Sequence, residues 1–175
     1  MASLRILGGK ARGRTLAVPD SARPSPVRLR KALFDYLRGR YPARGRFLDL
    51  YAGSGAVGLE AASEGFEATL VESDRRAVEV LRANARKLEL PVRIVPQTAE
   101  RFLERAARAG ERYNVVFLDP PYEDDLAGAL ARVLEAELVP AGGHVILQHP
   151  SELHLPLGER RVYGSSALTI VEVDA

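Results

Sequence analysis

Residues 47–58 read Phe47-Leu48-Asp49-Leu50-Tyr51-Ala52-Gly53-Ser54-Gly55-Ala56-Val57-Gly58. A short apolar run enters a G-x-G-x-x-G, and small, helix-prone residues follow as far as Gly65. Alone, such a glycine pattern says little. Between a strand and a helix it acquires a physical meaning: the glycines let the chain turn tightly and let a ligand approach the free N–H groups of a helix N-terminus. Glu72 ends the next apolar run, where an acidic group accepts hydrogen bonds from ribose hydroxyls.

The same alternation continues outward from this stretch. The patterning predicts strands over 47–51, 68–72, 92–96 and 115–119, and helices over 56–64, 74–88, 99–109 and 125–138. Strand and helix in turn give an α/β protein, with a parallel sheet covered on both faces. After Gly143 the runs 145–148, 161–163 and 168–173 leave no room for a helix, so the sheet should finish antiparallel. Upstream, residues 4–18 with Gly8-Gly9 and Gly13 read as a hairpin. Ser25 is placed to cap a helix with Pro26 in its first turn. Val27, Leu29, Ala32, Leu33, Tyr36 and Leu37 form its apolar stripe. The chain thus divides into an N-terminal hairpin and helix, 1–46, and a core, 47–175.

The 175 residues are 46% hydrophobic and 27% charged, an ordinary globular mix. No apolar run approaches the ~18 residues of a membrane-spanning helix. The absence of cysteine excludes a disulfide framework and a thiolate metal site. A soluble, cytoplasmic protein is expected. The net charge of +2 hides an asymmetry, because residues 1–46 hold 12 Lys/Arg against 2 Asp/Glu while the rest is acidic. A basic segment joined to an acidic body points to a polyanion, and nucleic acid is the natural one. Arg5, Lys10, Arg12, Arg14, Arg23, Arg28 and Lys31 are the candidate RNA-binding contacts. His144, His149 and His154 lack a helical i,i+4 pair, so no metal is expected.

Asp119-Pro120-Pro121-Tyr122 ends the fourth core strand, where open α/β sheets bind ligands. Prolines fix the backbone and donate no N–H, so the Asp119 carboxylate and the Pro120 carbonyl can face one small pocket as acceptors. Two acceptors match an exocyclic amino group with two protons, and Tyr122 offers a flat face for a base. Glu123, Asp124 and Asp125 are better read as charges favoured by a helix N-terminus.

At these residues the chain resembles class I S-adenosylmethionine-dependent methyltransferases acting on a nucleobase amino group. RILGGKARGRTL, RPSPVRLRKALFDYL, LDLYAGSGAVGLEA, LVESDR and FLDPPY follow the order and spacing of the RsmD family, bacterial 16S ribosomal RNA guanine-N2 methyltransferases. The pattern departs at Ser25-Pro26, where a threonine pair would be expected. The resemblance implies the Rossmann-like class I fold, a seven-stranded, mostly parallel sheet with a reversed last strand. It implies that Asp49, Ala52 and the Gly53-Ser54-Gly55 backbone hold the methionine end of S-adenosylmethionine. Glu72 and Ser73 would lie at the ribose, Thr98 and Ala99 at the adenine, and Asp119 to Tyr122 around the flipped guanine. It implies 16S ribosomal RNA as partner, within a small-subunit assembly particle, with no membrane, metal or obligate protein partner.

Three other readings share some of these features. A nicotinamide dehydrogenase uses the glycine loop and the acidic ribose partner, but has no use for the DPPY motif. A DNA adenine or cytosine amino-methyltransferase keeps the same pocket. A non-catalytic RNA-binding module would not bind S-adenosylmethionine.

Overall fold

A computed structural model describes residues 2–19 and 25–174. Strands β1 (Ala2–Arg5) and β2 (Thr15–Val18) form an antiparallel hairpin, followed by α1 (Val27–Arg40). The chain then runs β3 (Arg46–Leu50), α2 (Ala56–Ser63), β4 (Glu67–Val71), α3 (Arg75–Leu88), β5 (Arg93–Val95), α4 (Ala99–Ala109), β6 (Val115–Leu118) and α5 (Leu126–Glu135). It closes with β7 (His144–Pro150), β8 (Glu159–Tyr163) and β9 (Ser166–Glu172).

The seven-stranded sheet has the order β5-β4-β3-β6-β7-β9-β8. It is the expected Rossmann-like sheet, parallel except that β9 runs antiparallel to both neighbours. The chain moves outward from β3 to β5, then returns to lay β6 on the other side of β3. The loops after β3 and β6 therefore diverge, opening the crevice typical of a topological switch point. β9 reverses because Gly164-Ser165 turns the chain tightly, with Gly164 at φ 66° in the first central position of the turn.

Helices α4 and α5 cover one face of the sheet, where Phe102, Ala106 and Leu130 meet Leu48, Leu50, Val116 and Leu118. On the other face, α1 and α2 bring Leu29, Leu33, Leu37 and Val57 against Phe47, Phe117 and Ile146. The hairpin packs there too, with Ile6 and Leu16 among Leu59, Leu70, Leu81 and Leu88.

Local chemistry sets the helix ends. Asp74 and Asp125 cap α3 and α5 by accepting the Arg76 and Gly128 amide N–H groups. The expectation for α1 needs correction. Pro26, not Ser25, is the capping residue, and no side chain caps that end. The buried stripe is also shifted, since Val27 is 53% exposed whereas Arg30 is fully buried. Arg30 turns inward because Glu60 of α2 offers a carboxylate 3.6 Å away and the Arg5 carbonyl accepts from its Nη2.

Candidate active site

The loop after β3 carries the most constrained backbone. Tyr51 adopts φ 63°, a left-handed conformation costly for a bulky residue, and Gly53 and Gly55 follow at 58° and 94°. The two glycines serve different ends. A Cβ on Gly55 would strike Leu81 and Leu59 at under 3 Å, so this glycine lets α2 pack. A Cβ on Gly53 would meet nothing within 4 Å, so Gly53 presents bare backbone to open space.

Carboxylates surround that opening. Asp49, only 1% exposed at the end of β3, accepts the Gly58 N–H at 2.8 Å. Burial pushes its pKa well above the usual carboxylate range, the Gly58 bond pulls the other way, and the charges of Asp119 and Glu72 push it up further. Glu72 accepts the Gly53 N–H through Oε1 (2.7 Å) and the Asp74 N–H through Oε2 (2.9 Å). The carboxylate thus bridges the end of β4 and the glycine loop, and each oxygen keeps acceptor capacity. The cleft is lined by Asp49, Tyr51, Ala52, Gly53, Ser54, Phe117 and Asp119, joined by Leu4 of the hairpin and Ser25 before α1. A cleft so furnished favours a ligand carrying positive charge and offers acceptors to N–H and O–H groups.

The glycine-loop residues and Asp119 are thus brought together. Pro120 is buried beside Asp119, Pro121 is exposed, and half-buried Tyr122 packs against the core under α4 and α5. Thr98 and Ala99 stand at the start of α4, beyond β5, where the Thr98 hydroxyl accepts the Arg101 N–H as a helix cap. Ser73 is exposed between β4 and α3.

The candidate RNA contacts scatter more widely. Lys10, Arg12 and Arg14 are exposed on the hairpin loop, and Arg28 and Lys31 on the first turns of α1. Arg12 and Lys31 border one groove between hairpin and α1. Arg14 instead reaches the Lys87 carbonyl, Lys31 pairs with Asp35 at 2.9 Å, and Arg5 is exposed at the end of β1. Arg23 lies outside the described residues.

Two of the histidines are structural. His144 and His149 are buried rather than surface groups, and burial lowers the pKa of both. The first shares a 2.5 Å hydrogen bond with the Tyr41 hydroxyl, the second a 2.6 Å bond with Thr169. Among the described residues no acidic, histidine or cysteine group is arranged to hold a metal ion.

Sequence reasoning missed the buried groups that fix the hairpin. Glu60 accepts the Leu7 and Gly8 N–H groups, and Ser63 accepts the Ala11 N–H and donates to the Gly8 carbonyl. Asn84 of α3 accepts the Ala17 N–H and donates to the Ala17 and Ser54 carbonyls, each at 2.9 Å. One amide therefore ties the hairpin to the glycine loop. A charged residue inside the apolar α2 was the available signal for Glu60; nothing in the pattern distinguished Asn84.

The chain is similar to known proteins along nearly its whole length. A family model described as conserved hypothetical protein 95 matches residues 4–171. YlbH of Bacillus subtilis, a candidate rRNA methyltransferase, is 32% identical over 180 residues, covering 95% of this chain and 97% of its own. Ribosomal RNA small subunit methyltransferase D of Escherichia coli is 41% identical over 136 residues, covering 75% of this chain and 67% of its own. A solved structure of a hypothetical protein from Thermus thermophilus superimposes with a TM-score of 0.96 at 64% identity, covering 97% of this chain and 99% of that one.

Proposed function

The chain belongs to the conserved hypothetical protein 95 family, which includes the RsmD-type methyltransferases, and from that premise we infer that it methylates the N2 amino group of a guanine in small-subunit ribosomal RNA. S-adenosylmethionine is the methyl donor. The observation carrying the reading is the shared cleft at the switch point, where Asp119 of the DPPY motif stands with Asp49 and the glycine loop. The donor fits these residues. It carries a sulfonium and an ammonium against one carboxylate, which suits a cleft held by Asp49, Glu72 and Asp119, and the open side of Gly53 leaves room for close approach. Asp49, Ala52 and the Gly53-Ser54-Gly55 backbone hold its methionine end, Glu72 and Ser73 its ribose, and Thr98 and Ala99 its adenine.

When bound, S-adenosylmethionine supplies an electrophilic methyl group whose bonding pair leaves with sulfur. The protein's part is to prepare the nucleophile. The guanine amino nitrogen is poor because its lone pair is delocalised into the ring. Asp119 and the Pro120 carbonyl accept hydrogen bonds from its two N–H groups and favour a pyramidal nitrogen whose lone pair is free. Positive charge then grows on nitrogen, so the Asp119 carboxylate stabilises the transition state more than the ground state. One proton leaves to water, and Asp119 need not be a strong base. Tyr122 stacks on the base, Pro121 stiffens the turn, and in-line placement supplies much of the remaining acceleration. Drawing the base from its stack costs a few kcal/mol. Residues 1–46 form the RNA-contacting part, through Arg5, Lys10, Arg12, Arg14, Arg23, Arg28 and Lys31. The substrate is 16S ribosomal RNA within a small-subunit assembly particle in the cytoplasm.

The test is transfer of a tritiated methyl group to small-subunit RNA, free or in particles, from cells lacking the modification, followed by mapping of the labelled base. Label at one guanine N2 is expected. Label on another base, or none, refutes the assignment.

A further inference from the structure

Strand β7 carries a side chain that packing alone does not explain. Gln148 is 0% exposed, and among the described residues neither its Oε1 nor its Nε2 has a hydrogen-bond partner. Buried amides nearly always find partners, so an unmatched one calls for a reason. The chain holds only two glutamines, yet one occupies a strand position where leucine would satisfy the core. Its place in the sheet suggests why. Leu147 pairs with Leu118 across β7 and β6, which sets Gln148 level with Asp119 on the adjacent strand. Alternation puts Gln148 on the face of Ile146, which packs with Phe117 and Leu29. Phe117 and Asp119 themselves line the cleft. The amide thus stands one strand in from the Asp119 side of the cleft, closed from solvent.

We propose that Gln148 reads the Watson–Crick edge of the base whose amino group Asp119 holds, and so selects guanine; this rests on the guanine-N2 reading above. Beside its 2-amino group guanine presents N1–H, a donor, and then O6, an acceptor. Gln148 answers both, with Oε1 accepting from N1–H and Nε2 donating to O6. Beside its 6-amino group adenine presents N1, an acceptor, and then a C–H, which leaves one amide atom unmatched. Beside its 4-amino group cytosine presents two acceptors, N3 and O2, so the amide donates to one and sets Oε1 against the other. Seating the base requires Leu4 and Ser25, which line the cleft from the N-terminal side, to draw back.

The test uses RNA carrying either guanosine or 2-aminopurine riboside at the mapped target. Both bases have the 2-amino group, but 2-aminopurine offers an acceptor at N1 and only a C–H at position 6, so either orientation of the amide leaves one of its atoms unmatched. Wild type should prefer guanosine by about 10²-fold or more in kcat/KM, as sites built to hydrogen-bond one substrate reject a mismatched analogue. In Gln148→Leu that preference should collapse to a few-fold, mainly through loss on guanosine. Its Tm should be equal or higher, because no internal hydrogen bond is removed, and its affinity for S-adenosylmethionine should be unchanged. Gln148→Met, of similar length but with neither amide group, should lose the preference in the same way. An undiminished preference in either variant, a wild type that does not discriminate, or loss of folding in both Gln148→Leu and Gln148→Met overturns the proposal. A wild type that methylates no RNA refutes instead the premise on which the proposal stands.

Discussion

Replacing Glu60 with alanine removes three contacts at once: the N–H groups of Leu7 (2.9 Å) and Gly8 (3.0 Å), and the Arg30 guanidinium 3.6 Å away. Both charged side chains are at most 1% exposed. Stranding a buried guanidinium costs about 3–5 kcal/mol, and two backbone donors left without acceptors add roughly 1 kcal/mol each. A loss of about 5–7 kcal/mol is a large part of the ~5–15 kcal/mol that holds a domain folded. At ~2–4 °C per kcal/mol for a chain of this size, Glu60→Ala should lower Tm by about 10–28 °C. Arg30→Met should cost far less, on the order of 1–2 kcal/mol for the lost bond to the Arg5 carbonyl. The asymmetry has a chemical cause. Glu60 left alone can take up a proton, towards which burial already pushes it, and still accept both amides. A guanidinium cannot shed its proton. The raised pKa of Glu60 means a stability contribution that is full below the unfolded carboxylate value and lost as pH rises through the folded one. Arg30→Met should therefore weaken as pH rises. Thermal melts across pH, with hydrogen exchange at Leu7 and Gly8, measure all of this. Melts of the two variants within about 3 °C of each other at neutral pH would refute the reasoning.

Asp119→Ala should lower methyl transfer by about 10²–10³-fold, the usual cost of losing one aimed polar partner, with cofactor affinity within a few-fold; near-normal turnover would remove Asp119 from the reaction. Asp49 should make cofactor binding depend on pH. Its pKa stands well above the usual carboxylate range, mainly through burial, and a cationic partner would draw it down. Binding therefore releases a proton, and affinity rises with pH until Asp49 is ionised. Titration calorimetry in buffers of different ionisation enthalpy measures that proton; no release in wild type, or the same release in Asp49→Asn, contradicts the assignment. Replacing Lys10 and Arg12, both exposed on the hairpin loop, should flatten the slope of log affinity for RNA against log salt by about 1.4 for single-stranded contacts. An unchanged slope would take the loop out of the RNA interface.

The sheet was legible because its signals are local. Short apolar runs alternating with helical stretches, two of them stopped by Gly65 and Gly110, place β4 to α5 within a few residues. The reversed end was legible for the converse reason, since the chain after Gly143 has no segment with helical period. Helix α1 was read less well. Its stripe was judged on apolarity, whereas its burial depends on a charge 30 residues further along that only the tertiary fold brings near. The paired motifs located the cleft, and the quoted stretches FLDPPY and RPSPVRLRKALFDYL contain Phe117 and Ser25, which also line it; Leu4 stands in no motif that would mark it.

The arrangement of charge gives the buried groups that sequence missed a common purpose. A cleft held by Asp49, Glu72 and Asp119 suits a cationic donor but repels a phosphate backbone, so the sheet alone is a poor platform for RNA. The basic residues sit on the hairpin and α1, and such a segment is useful only if its position is fixed relative to the cleft. Glu60, Ser63 and Asn84 supply that fixation from α2 and α3, the two helices that frame the glycine loop. Asn84 does so most directly, because its Nδ2 donates to the hairpin at Ala17 and to the loop at Ser54. Under the proposed function, a shift of the hairpin on engaging RNA would therefore strain or carry the glycine loop. On that same reading, the two bonds of one amide would make the grip on the polyanion and the shape of the cofactor cleft mechanically dependent on each other.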